Sequence, residues 1–329
     1  MTMSPAHRKR LNMSTLKHLL ITLWRTDARL TAVGLLMVGL LGAHAAGMVL
    51  DPRIITGAPA WLKPAKFSAS IAIFTLTLAW VFTYLPEWVR LRRIVSWLTA
   101  LTFLLEIAII DLQAWRGTTS HFNVGTPLNG MLFQVMGLGI VVQTLSTIAV
   151  AVALFRQRFA DRAFGWALRL GIVISLVGAM TGGVMLRPTS AQLDAARTGH
   201  RMTVAGAHTV GAPDGGPGLP GTGWSTEHGD VRVAHFIGLH ALQVLPLLAL
   251  VFVRRGWTEA GRVRVVWALS ASYVALYGLL LWQALRGQSI ANPDSLTIVA
   301  MASWAVLTAC AIGLSRLRAH SSRLHAMVY

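Results

Sequence analysis

The sequence predicts an all-α polytopic membrane protein, built as a transmembrane helix bundle of about eight spans. Three observations support this class: apolar runs of membrane-spanning length, a low charge content, and basic residues concentrated in alternate loops. Only 12% of the 329 residues are charged and 54% are hydrophobic, whereas soluble domains carry about a quarter charged residues. This composition excludes a disordered chain, a collagen-like fibre and an ordinary soluble two-domain enzyme.

Eight apolar runs are each long enough to cross a bilayer, which takes about 20 residues. The fourth run is longer than the bilayer requires, so we expect it to tilt or to extend beyond the membrane. The segment 51–66 contains three prolines and is expected to be an interfacial loop or a short surface helix. The expected spans are 30–50, 67–85, 94–114, 128–155, 163–186, 233–253, 263–285 and 296–314.

The distribution of basic residues predicts the topology. With both termini in the cytoplasm, inner segments hold twenty of the 29 Lys and Arg residues and outer segments hold nine, as the positive-inside rule requires. The expected organisation is a basic cytoplasmic arm (1–29), a transmembrane region (30–316) and a cytoplasmic tail (317–329). A small-residue site at Ala43–Ala45 leaves cleavage of the first span, and thus seven spans, as an alternative.

The formal charge of +17 is therefore attributed to topology and to contact with anionic membrane lipids, with no nucleic-acid partner expected. The single cysteine, Cys310, excludes a disulfide framework and any cysteine-based metal site within one chain.

Residues 188–229 form the one long loop outside the spans, rich in glycine and proline. A flexible linker is one interpretation. The other is an ordered lid over an outward-facing site, because long loops in compact proteins often serve as lids.

Ionisable side chains within spans are rare and call for an explanation, because each costs roughly 2.5–3.5 kcal/mol to insert. Counting about 1.5 Å of rise per residue, these side chains share one level in the outer half of the bilayer, with Gln134 and Gln243 nearby. The group consists of His44, Glu106, Asp111, His235 and His240. The inner half shows no comparable acid or histidine, so the pattern predicts a pocket that opens outward.

Histidines from separate spans at one depth are what a haem b requires for its axial ligands. The leading hypothesis is therefore a haem- or metal-dependent membrane redox protein, with His44 and His240 as ligands and His235 in reserve. Glu106, Asp111 and His121 would handle protons, and a quinone or another lipid-soluble reductant would be the partner. Residues expected to hold the cofactor are Arg53, Arg187, Arg232 and Gln243.

Three alternatives remain open at this stage. The same residues could bind zinc, iron or copper, and a zinc ion would permit hydrolysis. They could instead form the binding site of a transporter or receptor for a small periplasmic solute. That function calls for polar groups in the inner half as well, where the sequence offers few beyond Gln143, Thr77 and Ser146. Finally, the polar residues could join helices through hydrogen bonds.

Three stretches carry a resemblance: KPAKFSASIA (63–72), QAWRGTTSHFNVGTP (113–127) and GWSTEHGDVRVAHFIGLHALQ (223–243). They resemble stretches of an uncharacterised family of bacterial polytopic inner-membrane proteins. The resemblance implies a bacterial inner membrane as the location, and it implies no activity, cofactor or catalytic residue.

Overall fold

The computed structural model describes the backbone of residues 5–253 and 257–328, and side chains within 15–251 and 257–314. Part of the predicted topology signal lies outside the described side chains, including the tail 317–329. The basic residues concerned are Arg8, Lys9, Arg10, Arg254, Arg255, Arg316, Arg318 and Arg323.

The described chain is mostly helical. Its four short strands form two small two-stranded sheets, neither of which is closed. The helices are α1 (Pro5–Thr26), α2 (Ala28–Leu50), α3 (Leu62–Phe82), α4 (Val89–Trp115), α5 (Pro127–Arg156), α6 (Arg162–Met185), α7 (Ser190–Arg197), α8 (Val231–Leu239), α9 (Ala241–Val253), α10 (Glu259–Leu285) and α11 (Ser295–Val328). The strands are β1 (Ile54–Ile55), β2 (Ala58–Pro59), β3 (Thr209–Val210) and β4 (Gly229–Asp230).

Within the described residues, seven helices are long and apolar enough to cross a membrane: α2, α3, α4, α5, α6, α10 and α11. The bent pair of α8 and α9 makes an eighth if the two helices form one span. This confirms the predicted class of a multi-pass helical membrane protein.

The expected loop 51–66 is wrong at its end, because α3 already begins at Leu62. Pro64 lies in the first turn of α3, where the missing N–H has no intrahelical partner to lose. The chain between α2 and α3 is consequently short, and it brings Trp61 back beside the last turns of α2.

The chain divides into two compact units. The first consists of Met1–Arg53, Pro59–Thr118 and Val135–Ser146. In it, α2 packs along α3 and both contact α4. A Cβ at Gly34 would lie 3.0 Å from the Thr75 hydroxyl and closer still to Leu76, so the missing side chain is what lets α2 approach α3.

The second unit consists of Ile54–Ala58, Thr119–Gln134 and Thr147–Tyr329. Its centre is α6, which packs against α8, α9 and α10. Gly178 of α6 meets Gly238 of α8 so closely that a Cβ on either would overlap the other's backbone. Small residues permit such backbone approaches between membrane helices.

The expected span 233–253 is not one straight helix, because the chain breaks at His240 and bends by 47° between α8 and α9. Ser175 of α6 occupies the break: its hydroxyl donates to the Leu239 carbonyl (2.9 Å) and accepts from the Leu242 N–H (3.0 Å). Tyr273 of α10 donates to the Ile237 carbonyl (2.6 Å). Side chains from neighbouring helices thus satisfy backbone groups that the lipid could not.

Residues 188–229 fold into a cap. Helix α7 begins with a capping box at Thr189 and Gln192. The Gln192 side chain then bonds both backbone groups of Gly206. Further along, β3 pairs with β4, and Asn123 bridges to Val204, which joins the cap to the 119–126 turn.

Candidate functional site

One face of α4 carries buried polar side chains along its whole length. Residues 92, 96, 99, 103, 106, 110 and 113 follow alternating steps of four and three, which places them on one side of a helix. The polar members are Arg92, Ser96, Thr99, Glu106 and Gln113, and the last four are all buried. We call these five residues the α4 polar stripe. It extends over about 32 Å, close to the roughly 30 Å of a bilayer's hydrocarbon core.

At one end of the first unit, which we call the His44 end, α2, α3 and α4 each contribute a polar group. The His44 ring is 4% exposed. Its Nδ1 lies 3.1 Å from the Ser68 hydroxyl, and its Nε2 lies 3.2 Å from Oδ1 of Asp111. The hydrogen bond between Ser68 and His44 Nδ1 can run in either direction, according to the tautomer of the ring.

An aromatic ring and an ion pair cover His44. The Trp61 indole stacks on the imidazole at 5.7 Å between ring centroids, in the space left by Gly47. Trp61 Nε1 donates to Asp51 (2.8 Å), and Arg53 pairs with the same carboxylate. The hydrogen bonds from Arg53 hold the pKa of Asp51 well below its usual range. Asp51 therefore stays charged and holds Trp61 over His44 across the physiological pH range.

Glu106 lies deeper on the stripe and is 2% exposed. Lys63 of α3 is the cation that interacts with it electrostatically. A carboxyl group this far from solvent is stable either in its neutral form or beside a cation, because an isolated buried charge is very costly. Glu106 is thus placed to change charge state when its surroundings change.

The opposite end of the first unit, which we call the Asp27 end, is also polar. Asp27 caps α2 by accepting from the Leu30 N–H (3.0 Å), and Ser96 of the stripe donates to the same carboxylate (2.7 Å). Arg29 in turn donates to the Ser96 hydroxyl (3.1 Å). One turn further along α4, the buried Thr99 hydroxyl has no hydrogen-bond partner among the described residues.

A band of apolar side chains separates the two polar ends. It consists of Val33, Met37, Leu40, Phe67, Ile71, Ala72, Ala100, Phe103 and Ile107. Phe103 stands on the α4 stripe between Thr99 and Glu106, and its ring meets Phe74 edge-on at 5.5 Å. We call this cluster the apolar band. The first unit therefore has polar groups at both ends of its helices and a cluster of packed apolar side chains between them.

The structure brings together part of the predicted site. Asp111 contacts His44, and Arg53 pairs with Asp51 in the cover described above. His121, Arg187, Arg232, His235, His240 and Gln243 belong to the second unit. The expected pairing of His44 with His240 stays a prediction.

In the second unit, His235 donates Nδ1–H to the Gly178 carbonyl (2.8 Å), and His121 Nδ1 lies 3.1 Å from the Ser120 hydroxyl. His240 meets Phe236 edge-on at 4.2 Å. Gln134 is exposed, contrary to its expected place in the buried layer. Within the described residues, no group of three or more His, Cys, Asp and Glu side chains is arranged to hold a metal ion.

The arginines expected to hold a cofactor have separate surroundings. Arg232 forms a bidentate pair with the buried Asp230 at the start of α8, and it donates to the Gly223 carbonyl (2.7 Å). Arg187 is exposed at the end of α6. Arg232 thus joins the cap to α8 through Gly223.

Sequence reasoning missed Ser96, Thr99 and Asp27 because it searched for ionisable groups inside spans. Serine and threonine are common in membrane helices, and Asp27 lies just outside the first expected span. The signal was nevertheless present as the spacing 92-96-99-106-113, which puts polar residues on a single helix face over six turns.

The cap contains a carboxylate, Asp214, and we expect its negative charge to keep the cap ordered. Asp214 accepts from His208 Nδ1 (2.6 Å) and from the backbone N–H groups of His208 and Thr209. Burial alone raises the pKa of Asp214, but these hydrogen bonds outweigh it and leave the pKa well below its usual range. The stabilisation is therefore complete above about pH 4 and is lost as the pH falls further.

We expect Asp214→Asn to accelerate proteolysis within the cap roughly tenfold at neutral pH, since hydrogen bonds to a charged group contribute about 1.5–3 kcal/mol. Asp194→Asn is the matched control, because Asp194 pairs with Arg197 on the exposed face of α7. Limited proteolysis followed by mass spectrometry measures both. Equal cleavage rates in the two variants would contradict the structural role of Asp214.

Comparisons of the chain with family models, with curated proteins and with solved structures found no match. The function is therefore argued from the geometry of the first unit.

Proposed function

We propose that the protein is a transporter that moves a small solute across a bacterial inner membrane, with its path along the α4 polar stripe. The single observation that carries this proposal is the extent of the stripe. Polar residues occur at both ends of α2 and α4, so the inner-half groups that a path needs are available in Ser96, Thr99 and Asp27. A pocket open to one side only would not need them.

The apolar band supports the same function. A transporter must never open to both sides at once, and an apolar constriction excludes water and ions between two polar chambers. In this interpretation the chain is in an occluded state. His44, Asp111 and Trp61 form the outer chamber, and Asp27 and Ser96 form the inner one.

The finer topology belongs to this proposal. We infer eight spans with α8 and α9 as one broken span, both termini in the cytoplasm, and the His44 end facing the periplasm. Support comes from the split of basic residues between alternate loops. A broken span is common in transporters, in which such a helix bends without leaving its backbone groups unsatisfied.

Cysteine accessibility tests the path without knowledge of the solute. Because Cys310 is the only cysteine, Cys310→Ala gives a cysteine-free background in one step. Ser96→Cys and Thr99→Cys place thiols on the stripe, and Leu98→Cys and Leu101→Cys place matched controls on the exposed face of the same helix. The probe is a charged, membrane-impermeant thiosulfonate applied to sealed vesicles of either orientation.

We expect the stripe thiols to react and the control thiols to stay unmodified, because the charged reagent and the reactive thiolate both need water. If neither stripe thiol reacts from either side in a correctly folded variant, α4 lines no path and the transport proposal fails. The side from which each thiol reacts also tests the proposed orientation.

The haem- or metal-dependent redox function stays a second candidate because of one observation. His235 directs Nδ1–H at the Gly178 carbonyl, the arrangement that orients many metal-binding histidines and leaves Nε2 for the ligand. The visible spectrum and the metal content of the purified protein test it, and the same sample tests the zinc hydrolase alternative. A haem band that is lost in His235→Ala but kept in His228→Ala would favour the redox function and its quinone partner.

A further inference from the structure

Glu106 is the feature of the first unit that a path for a neutral solute would not explain. It is the one acidic residue of the stripe and is buried at 2% exposure, and it lies one turn from Phe103, at the edge of the apolar band. A carboxylate next to an apolar layer opposes any movement that would carry it into that layer. A neutral carboxylic acid opposes the same movement far less.

We propose that solute movement is coupled to a proton and that Glu106 is the carboxyl group that binds this proton. This inference rests on the proposed transport function and names its coupling ion. A proton from water at the His44 end adds to the Glu106 carboxylate and gives the neutral acid. After the path reorients, the acid loses the proton to water at the Asp27 end and becomes a carboxylate again.

The groups around Glu106 fit this role. The titratable and charged residues at the His44 end are His44 of α2, Asp51 and Arg53 just after it, Lys63 and Lys66 of α3, Asp111 of α4, and Arg116 just after it. Lys63 can balance the carboxylate while the path is open to this end. The His44–Asp111 contact lies at the same end of α4 as Glu106, and Asp111 is the more exposed of the two side chains.

Asp111 is a weaker candidate for the coupling site. Its carboxylate lies against His44 Nε2, more than a quarter of its side chain is exposed, and it is off the α4 polar stripe. Protonation of Asp111 would break a contact at the entrance but would not change the charge next to the apolar band. We therefore assign Asp111 to positioning His44.

At the Asp27 end, Asp27 accepts from the Ser96 hydroxyl at 2.7 Å. This contact places a hydrogen-bonded polar pair on the far side of the apolar band. Thr99, between Ser96 and the band, has a buried hydroxyl with no partner in the described part of the chain. Such a hydroxyl can bond a water molecule that enters when the path opens to this end.

The test measures how pH controls access to the stripe. In the Cys310→Ala, Ser96→Cys background, the rate of modification by the charged thiosulfonate is followed between about pH 5 and about pH 9, a range that covers buried carboxyl groups. The modification rate of each variant is divided by the modification rate of the Cys310→Ala, Ser96→Cys protein that also carries Glu106→Gln. The ratio cancels the pH dependence of the thiolate itself, which is common to both.

We expect this ratio to change severalfold with pH. The Glu106 carboxylate holds the path open to the His44 end, and its protonation allows the path to reorient to the Asp27 end. Glu227→Gln, at an exposed position of the cap, should keep the pH dependence of the parent. Glu106→Asp should also keep a pH dependence, with a shifted midpoint. This variant separates loss of the carboxyl group from misfolding.

The two proposals fail in different ways. A ratio that is flat with pH, while Ser96→Cys still reacts, overturns proton coupling through Glu106 and leaves the path in place. An absence of reaction at every pH in all of these variants overturns the path itself. A pH dependence that disappears in Asp111→Asn but persists in Glu106→Gln would move the proton site to Asp111 and likewise overturn the assignment.

Discussion

Gly178→Ala in α6 is expected to destabilise the protein by about 1–3 kcal/mol, the usual cost of forcing extra atoms into a packed interior. The added Cβ would overlap the backbone of Gly238 and Leu239. Backbone cannot rotate away as a side chain can, so α8 would have to move from α6. That movement would also separate Ser175 from the break between α8 and α9, and the Leu239 carbonyl would lose its donor.

Gly183→Ala is the matched control, on the same helix and with open space where its Cβ would be. It should leave stability unchanged or raise it slightly, because alanine favours a helix over glycine by up to about 1 kcal/mol. Reversible unfolding in a detergent titration measures both free energies. Equal stabilities for the two variants would mean that the close contact between α6 and α8 is not maintained in the protein.

Much of the fold could be predicted because the bilayer restricts it. An apolar run of about twenty residues has few structures open to it other than a spanning helix. Seven of the eight expected runs therefore correspond to single helices that are long and apolar enough to cross a membrane. The boundaries were less predictable, and α3 begins five residues before the expected start because a helix tolerates Pro64 in its first turn.

The break at His240 illustrates a limit of prediction from one segment. The stretch around HFIGLHALQ is apolar and contains no proline until Pro246, which lies inside α9. What supports the break comes from elsewhere in the sequence: the Ser175 hydroxyl of α6 and the Tyr273 hydroxyl of α10 bond the carbonyls near it. No local pattern could reveal those partners.

The candidate site was predicted in part. Depth counting placed His44 and the acids of α4 near one level, and the structure puts Asp111 in contact with the His44 ring. The apolar band could not be foreseen, since Phe103 and Met37 look like ordinary apolar residues of a span until their packing is known.

Phe103→Ala is expected to make the protein leak. The ring fills the α4 polar stripe between Thr99 and Glu106, and its removal would leave a gap in the layer that separates the two polar ends. Water that enters the gap lowers the barrier for protons and small ions. A reduction of only about 1.4 kcal/mol raises the leak rate tenfold, so we expect a tenfold or greater increase.

The decay of an imposed pH gradient in proteoliposomes that contain a trapped pH-sensitive dye measures the leak. Leu104→Ala is the matched control, because the next residue of α4 is more than a third exposed and lies outside the apolar band. Truncation of a packed phenylalanine costs about 3–5 kcal/mol in other proteins, so a size-exclusion profile must show that Phe103→Ala remains folded.

A folded Phe103→Ala variant whose pH gradient decays no faster than that of Leu104→Ala would show that the apolar band is not the barrier. Met37→Ala gives a second opening in the same layer, from α2, since Met37 is fully buried in the band. If both variants leak and Glu106→Gln changes the pH dependence of the leak, the barrier and the proton site act on one path. If they leak with a pH dependence that Glu106 does not influence, the band closes a path that the carboxyl group does not control.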